Sequence, residues 1–287
     1  MIIVTGATGQ LGSRVVRSLL DRVPAERIAV SVRDVDAAGD LAARGVRVRA
    51  ADFTDPDSLA HAFEGAERVL VVSAAIRGPE LAARAHRAAI DAARSAGAER
   101  VLYTSHQAAS PTSQFGPARG HAATEAHLAA GGSHTMLRNG FYATTVPYLL
   151  GDALTTGILT APADGPVSWT GHDDLAEAAA LTLLDDDPVD GPTSALTGPE
   201  ALDLADVARL LTQLTGRPVE RVVVDDEQWL ADQVAAGVPA GAAEFTLGMF
   251  RASRAGEFTV VDPTLAELLG RPATPLRTVL EAAVSAR

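Results

Sequence analysis

Short apolar runs punctuate the first half of the chain, at Ile2–Thr5, Ile28–Val32, Val46–Ala50, Val69–Ser73, Val101–Ser105 and Thr135–Arg138. Several are nearly continuous in their hydrophobicity rather than alternating, as in strands covered on both faces. Between them, near residues 10–22, 37–44, 56–63, 80–96 and 119–131, apolar positions recur at helical spacing. The alternation predicts an α/β fold, a Rossmann-type doubly wound parallel sheet. Punctuation agrees with it. Asp55 before Pro56 reads as the N-cap of a helix, and Gly45 and Gly97, just past helical runs, read as left-handed C-terminal caps.

Beyond about residue 140 the rhythm changes. "GDALTTGILTAPADGPVSWTG" is rich in Gly, Thr and Pro, as expected of connections and short strands. A helix is predicted over 173–184, a sheet strand at Ser194–Thr197 and a strand-like run at Val219–Val224; helices close the chain. The organisation expected is a nucleotide-binding domain over 1–150, its sheet completed from within 165–198, and a smaller, mostly helical lobe formed mainly by 151–287.

Composition narrows the chemistry. The 287 residues are 47% hydrophobic, enough for a substantial core, yet no apolar run reaches the length of a membrane-spanning helix. Met1 leads directly into an apolar strand without a basic leader, so a cytoplasmic protein with no membrane partner is expected. The net charge of −12, with arginines scattered among carboxylates, argues against nucleic acid as a partner. No cysteine is present, which excludes disulfides and thiolate chemistry. All 24 basic residues are arginine. The missing lysine removes a Walker-A site, Schiff-base chemistry and any lysine that would acidify a catalytic tyrosine.

The stretch "VTGATGQLGSRV" follows the first strand and opens the first helix. Gly6 suits the sharp turn, Gly9 lets the backbone approach a diphosphate, and Gly12 permits close helix–strand packing. Thr8, Gln10 and Leu11 complete the predicted phosphate loop. At the end of the second strand, "AVSVRDVD" places Arg33 where a 2′-phosphate would sit. NADPH is therefore the expected cofactor, with Asp34 keeping NADH as the alternative. Asp52 and Phe53 follow the third strand, at the adenine position. Ser73, Ala74 and Ala75 end the fourth with the small side chains needed beside a ribose and nicotinamide.

Several motifs together resemble the NmrA-like atypical short-chain dehydrogenase/reductases. They are "VTGATGQLG", "VRD" at 32–34, "ADFTD" at 51–55, "YTS" at 103–105, "H-x-x-T-E" at 121–125 and "LRNGFY" at 137–142. The segments at 196–219 and 265–283 extend the resemblance to essentially the whole chain. Within the family it is most similar to the bacterial type 2 NAD(P)H:quinone oxidoreductases, with the triphenylmethane-dye reductases close behind. The resemblance implies NADPH across the carboxyl ends of the strands, with Thr104 and Ser105 beside it. It also implies a cleft under a smaller lobe and direct hydride transfer to a quinone or similar aromatic acceptor, without flavin or metal. A homo-oligomer is compatible with it. Standard short-chain dehydrogenases carry Tyr-x-x-x-Lys; this chain reads His121-Ala-Ala-Thr-Glu125.

Hydrogen-bond donors for a developing oxyanion would come from His121, Asn139 and Tyr142, with Ser105 and His106 nearby. His106, Phe141, Tyr148 and Trp169 are candidates for substrate contacts. Each has a plainer alternative. His121 and Glu125 have the spacing of an exposed i,i+4 pair, Asn139-Gly140 that of a turn, and Tyr103 reads as a core residue. No third ligand joins His121 and Glu125, so a metal site is not expected. Two other functions fit the same pattern: a non-catalytic NADP(H)-sensing regulator of the NmrA-like kind, and a tailoring reductase or epimerase of a polycyclic aromatic metabolite.

Overall fold

A computed structural model describes residues 1–285. Nine strands occur among them: β1 Ile2–Thr5, β2 Ile28–Val32, β3 Arg47–Ala50, β4 Arg68–Val71, β5 Arg100–His106, β6 Ser133–Asn139, β7 Ile158–Pro162, β8 Gly191–Pro192 and β9 Glu220–Val224. Seven form one parallel sheet in the order β3-β2-β1-β4-β5-β6-β8. The order reverses between β1 and β4. Right-handed crossovers, the rule for parallel connections, put the β1–β2 and β4–β5 connections on opposite faces of the sheet. This is the doubly wound Rossmann arrangement.

On one face Ile3, Val69, Val71, Val101 and Tyr103 pack with Leu59, Phe63, Ala89, Ile90 and Leu128 of three covering helices. Elsewhere, helix Gln10–Leu20 and the turn that follows it are tied to helix His172–Leu184 by Arg14–Asp173 at 2.8 Å and Arg22–Glu177 at 2.7 Å. Gly45 and Gly97 have φ of +89° and +87°, as their helix-ending positions require. Asp55 occupies the N-cap of helix Pro56–Ala62, but its side chain accepts no capping hydrogen bond from it.

The chain divides into two compact units. The first comprises Met1–Pro111, Pro117–Asn139 and His172–Leu196; the second comprises Thr112–Gly116, Gly140–Gly171 and Thr197–Arg287. The main seam thus follows β6 at Asn139, where the rhythm of the sequence changes. The returning segment completes the sheet with Gly191–Pro192, and Leu196 adds only an isolated bridge to Asn139. That replaces the expected strand at Ser194–Thr197. The second unit pairs β7 with β9 in parallel. Its core is aromatic: Phe115, Phe141 and Phe258 lie with ring centroids 5.0–5.8 Å apart.

Candidate active site

The glycine turn is built as the spacing requires. Gly6 has φ +60° and its N–H donates to the Ser31 carbonyl at 3.0 Å, tying the turn to the end of β2. Gly9 is the N-cap of helix Gln10–Leu20, with no side chain capping that end. The helical ladder begins with Ser13 donating to Gly9, so the amides of Gln10, Leu11 and Gly12 precede it. Three donors with no partner among the described residues, at the positive end of a helix dipole, make an anion cradle. A Cβ on Gly12 would stand 2.3 Å from the Gly6 carbonyl oxygen, and one on Gly9 3.2 Å from the same atom. Thr8 and Gln10 are exposed beside the turn, whereas Leu11 is buried and offers only its backbone. These residues fit a dinucleotide diphosphate.

At the neighbouring strand end Arg33 is exposed and has no ion pair among the described residues. Asp34, by contrast, accepts the Asp36 N–H at 3.0 Å and is committed to its own turn. A cavity of about 340 Å³ opens beside the turn, lined by Ala7, Thr8, Ser13, Leu41 and two arginines, Arg17 and Arg44. The sequence reading missed both arginines. Arg17 stands one turn after Ser13 on the helix that follows the glycine turn, whereas nothing local in the sequence marks Arg44. Asp52 accepts two bonds from Thr54 through Oδ1, both at 2.8 Å; these, with Arg33 nearby, hold its carboxyl below the usual range. Phe53 packs edge-on to His86 at 6.4 Å.

The segment after β4 is pinned by side chains. Val72 N–H donates to Thr5 Oγ1 at 2.9 Å, Ser73 N–H to Thr104 Oγ1 at 2.8 Å, and Ala74 N–H to His86 Nε2 at 2.9 Å. Thr104 is fully buried with its hydroxyl donated to Ser73, so it shapes the Ser73–Ala75 turn. Ala75 follows, carrying only a methyl group.

The structure overturns the exposed-pair alternative for His121 and Glu125. Glu125 is 8% exposed and accepts Arg138 in two bonds, Nε to Oε1 at 3.0 Å and Nη2 to Oε2 at 2.7 Å. Ser105 donates to the same Oε1 at 2.6 Å. The strand partners outcompete the helical neighbour because they are bidentate and desolvated. His121 instead accepts or donates through Nδ1 to the Tyr103 hydroxyl at 2.8 Å. That hydroxyl also lies 3.1 Å from His86 Nδ1, so Tyr103 is a core residue with a polar task. The rings of His106 and His121 stack with centroids 5.9 Å apart. Burial pushes His86 and His106 down to about 4, and burial, then the neighbouring histidines, holds His121 well below the ordinary imidazole value. All three rings are neutral at pH 7.

Asn139 ends β6, 2% exposed, with its Oδ1 meeting no donor among the described residues. Its backbone carbonyl accepts the Gln107 N–H at 2.9 Å. The remaining candidates belong to the second unit. Tyr142 bridges Thr170 through its backbone and is half-buried. Phe141 and Trp169, the candidates for substrate contacts from this unit, lie in its interior. They are 8% and 3% exposed, pack edge-to-face at 5.5 Å, and the indole N–H is spent on the Leu202 carbonyl. Tyr148 is 80% exposed on a single-turn helix. No group of three metal-ligating residues occurs among the described residues, and no helix there is long and apolar enough to cross a membrane.

Comparison with known proteins places this arrangement. The NmrA-like family matches residues 1–281. Quinone oxidoreductase 2 of Escherichia coli (strain K12) is 35% identical over 278 residues, 96% of each chain. The Citrobacter sp. triphenylmethane reductase complexed with NADP(H) superposes with a TM-score of 0.92 at 33% identity, covering 99% of this chain and 100% of that one. The NADPH-dependent quinone oxidoreductase of Escherichia coli in complex with NADPH gives a TM-score of 0.91 at 34% identity, covering 100% and 99%. The chain belongs to the NmrA-like family. It is an oxidoreductase in class.

Proposed function

We propose that this protein is an NADPH-dependent reductase of quinones or similarly conjugated aromatic acceptors. The observation that carries the reading is the helix start at Gly9–Gly12, which no side chain caps, together with Arg33, which forms no ion pair among the described residues: candidate receptors for a diphosphate and a 2′-phosphate. The complexes of the two similar reductases with NADP(H) and NADPH support it. Gln10, Leu11 and Gly12 amides would hold the diphosphate, Arg33 the 2′-phosphate, and Asp52 Oδ2 the adenine amino group. Bound NADPH would supply the hydride, while a proton from solvent completes the hydroquinone.

The acceptor class follows from what the chain lacks. Position 125, where a tyrosine-activating lysine would stand, holds a carboxylate locked to Arg138, and position 121 is a histidine. Ordinary ketone reduction by a tyrosine–lysine pair is therefore closed to this site. A quinone is electrophilic enough to need only positioning and a donor for its developing oxyanion.

Adding a benzoquinone or naphthoquinone to protein and NADPH should give rapid NADPH oxidation, followed spectrophotometrically. Tight NADPH binding without turnover across a quinone panel would instead support the dinucleotide-sensing alternative. Arg33→Ala should cost about 2 kcal/mol of NADPH affinity, roughly thirtyfold in Kd, and leave NADH within about twofold. Equal losses for both dinucleotides, measured by calorimetry, would move the 2′-phosphate elsewhere.

A further inference from the structure

We propose that His86 and Tyr103 form a one-way hydrogen-bond chain that holds His121 as a neutral imidazole with its proton on Nε2, ready to donate to the acceptor's oxygen. The direction of the chain follows from its fixed end. A backbone amide can only donate, so His86 Nε2 accepts the Ala74 N–H, and the proton of the neutral ring sits on Nδ1. That Nδ1–H donates to the Tyr103 hydroxyl oxygen at 3.1 Å. Thr124, the other hydroxyl near Nδ1 at 3.5 Å, gives its own proton to the Gly120 carbonyl and leaves the direction unchanged. Tyr103, already an acceptor, donates onward to His121 Nδ1 at 2.8 Å. His121 is left with its proton on Nε2, which has no hydrogen-bond partner among the described residues.

The geometry is held from both sides. Gly120 lets helix Gly116–Leu128 press onto the start of helix Pro79–Ser95: a Cβ there would stand 3.0 Å from the Pro79 carbonyl oxygen. These helices carry His121 and His86, whose rings stack at 24° with centroids 6.4 Å apart. Tyr103, fully buried on β5, joins them. Neutrality of the buried rings agrees with the assignment.

The closed end also defines what the chain does. Handing the Nε2 proton to substrate and refilling it from Tyr103 and His86 would leave His86 as an imidazolate facing an amide that cannot replace the proton. His121 therefore polarises the oxygen without surrendering its proton, and Tyr103 and His86 act as positioning residues. The donor role rests on the quinone-reductase reading; the tautomers do not.

The test is ¹⁵N NMR of histidine-labelled protein at pH 7, alone and with NADP⁺, beside quinone kinetics. In the unaltered protein His121 should show a protonated Nε2 and bare Nδ1, and His86 the reverse. Tyr103→Phe should convert His121 to a tautomer mixture and lower kcat about tenfold, with the Kd for NADPH within about twofold. A protonated Nδ1 on His121 in the unaltered protein overturns the proposal, with no variant needed. An unchanged kcat in a folded Tyr103→Phe protein overturns the positioning role. Absence of quinone turnover by the unaltered protein would defeat the functional reading and remove the donor role, while the NMR result still decides the tautomers.

Discussion

Replacing Gly12 with alanine is expected to raise the Kd for NADPH about a hundredfold and to lower the stability of the nucleotide-binding unit by about 1–3 kcal/mol. The added methyl would lie 2.3 Å from the Gly6 carbonyl oxygen and 2.8 Å from its carbon, both backbone atoms that no rotamer change can relieve. Either the helix start withdraws or the Gly6 peptide turns. In both cases the amides of Gln10–Gly12 leave their common focus, and losing one charge-assisted bond costs about 1.5–3 kcal/mol. Gly241→Ala is the matching control, because a Cβ there meets nothing within 4 Å and the residue lies in helix Ala240–Arg254. It should leave NADPH binding unchanged and stabilise its helix slightly. Calorimetry and urea unfolding of the two variants would check this; NADPH bound normally by the Gly12 variant would show that the turn does not hold the diphosphate.

Acid should weaken the same unit well before its carboxylates titrate. His86 and His172 are 3% and 7% exposed, and burial depresses both to about 4, with Arg14 adding to the effect at His172. A folded value below the unfolded one near 6.5 means that the unfolded chain binds more protons between about pH 6.5 and 4. Stability is therefore full above pH 6.5 and falls as pH drops through that window. Between pH 7 and 5 the loss is about 2 kcal/mol for each of these two residues. Most carboxylates remain ionised there, so the histidines dominate the change. Urea midpoints at pH 7, 6 and 5 should fall steadily; a flat series would mean that these rings accept protons without unfolding.

Local features of the fold were legible in sequence, and remote ones were not. The strands of the first unit declare themselves because parallel strands buried on both faces need continuous apolar runs. The glycine turn is readable because each glycine answers a backbone requirement within seven residues. β7 escaped, since Ile158–Pro162 sits in a Gly-, Thr- and Pro-rich stretch and finds its partner at Glu220–Val224. At the candidate site the helical spacing of His121 and Glu125 pointed them at one another. Their real partners, Tyr103, Ser105 and Arg138, lie on β5 and β6, and only tertiary packing brings them near. A tyrosine inside an apolar strand reads as core, and nothing local announces that its hydroxyl bridges two imidazoles. Trp169 and Phe141 read in sequence as candidates for substrate contact, and what the sequence does not show is that the two rings pack edge-to-face inside the second unit.

Each unit is assembled from three separate stretches of chain, so the polypeptide passes from one to the other five times. Grafting a lobe from another family member would therefore require coordinated splices at every crossing. A single cut near residue 150 would strip β8 from the sheet edge and remove the carboxylates that answer Arg14 and Arg22. In such a protein new acceptor preferences are more readily acquired by point changes within the interleaved segments than by wholesale exchange of modules.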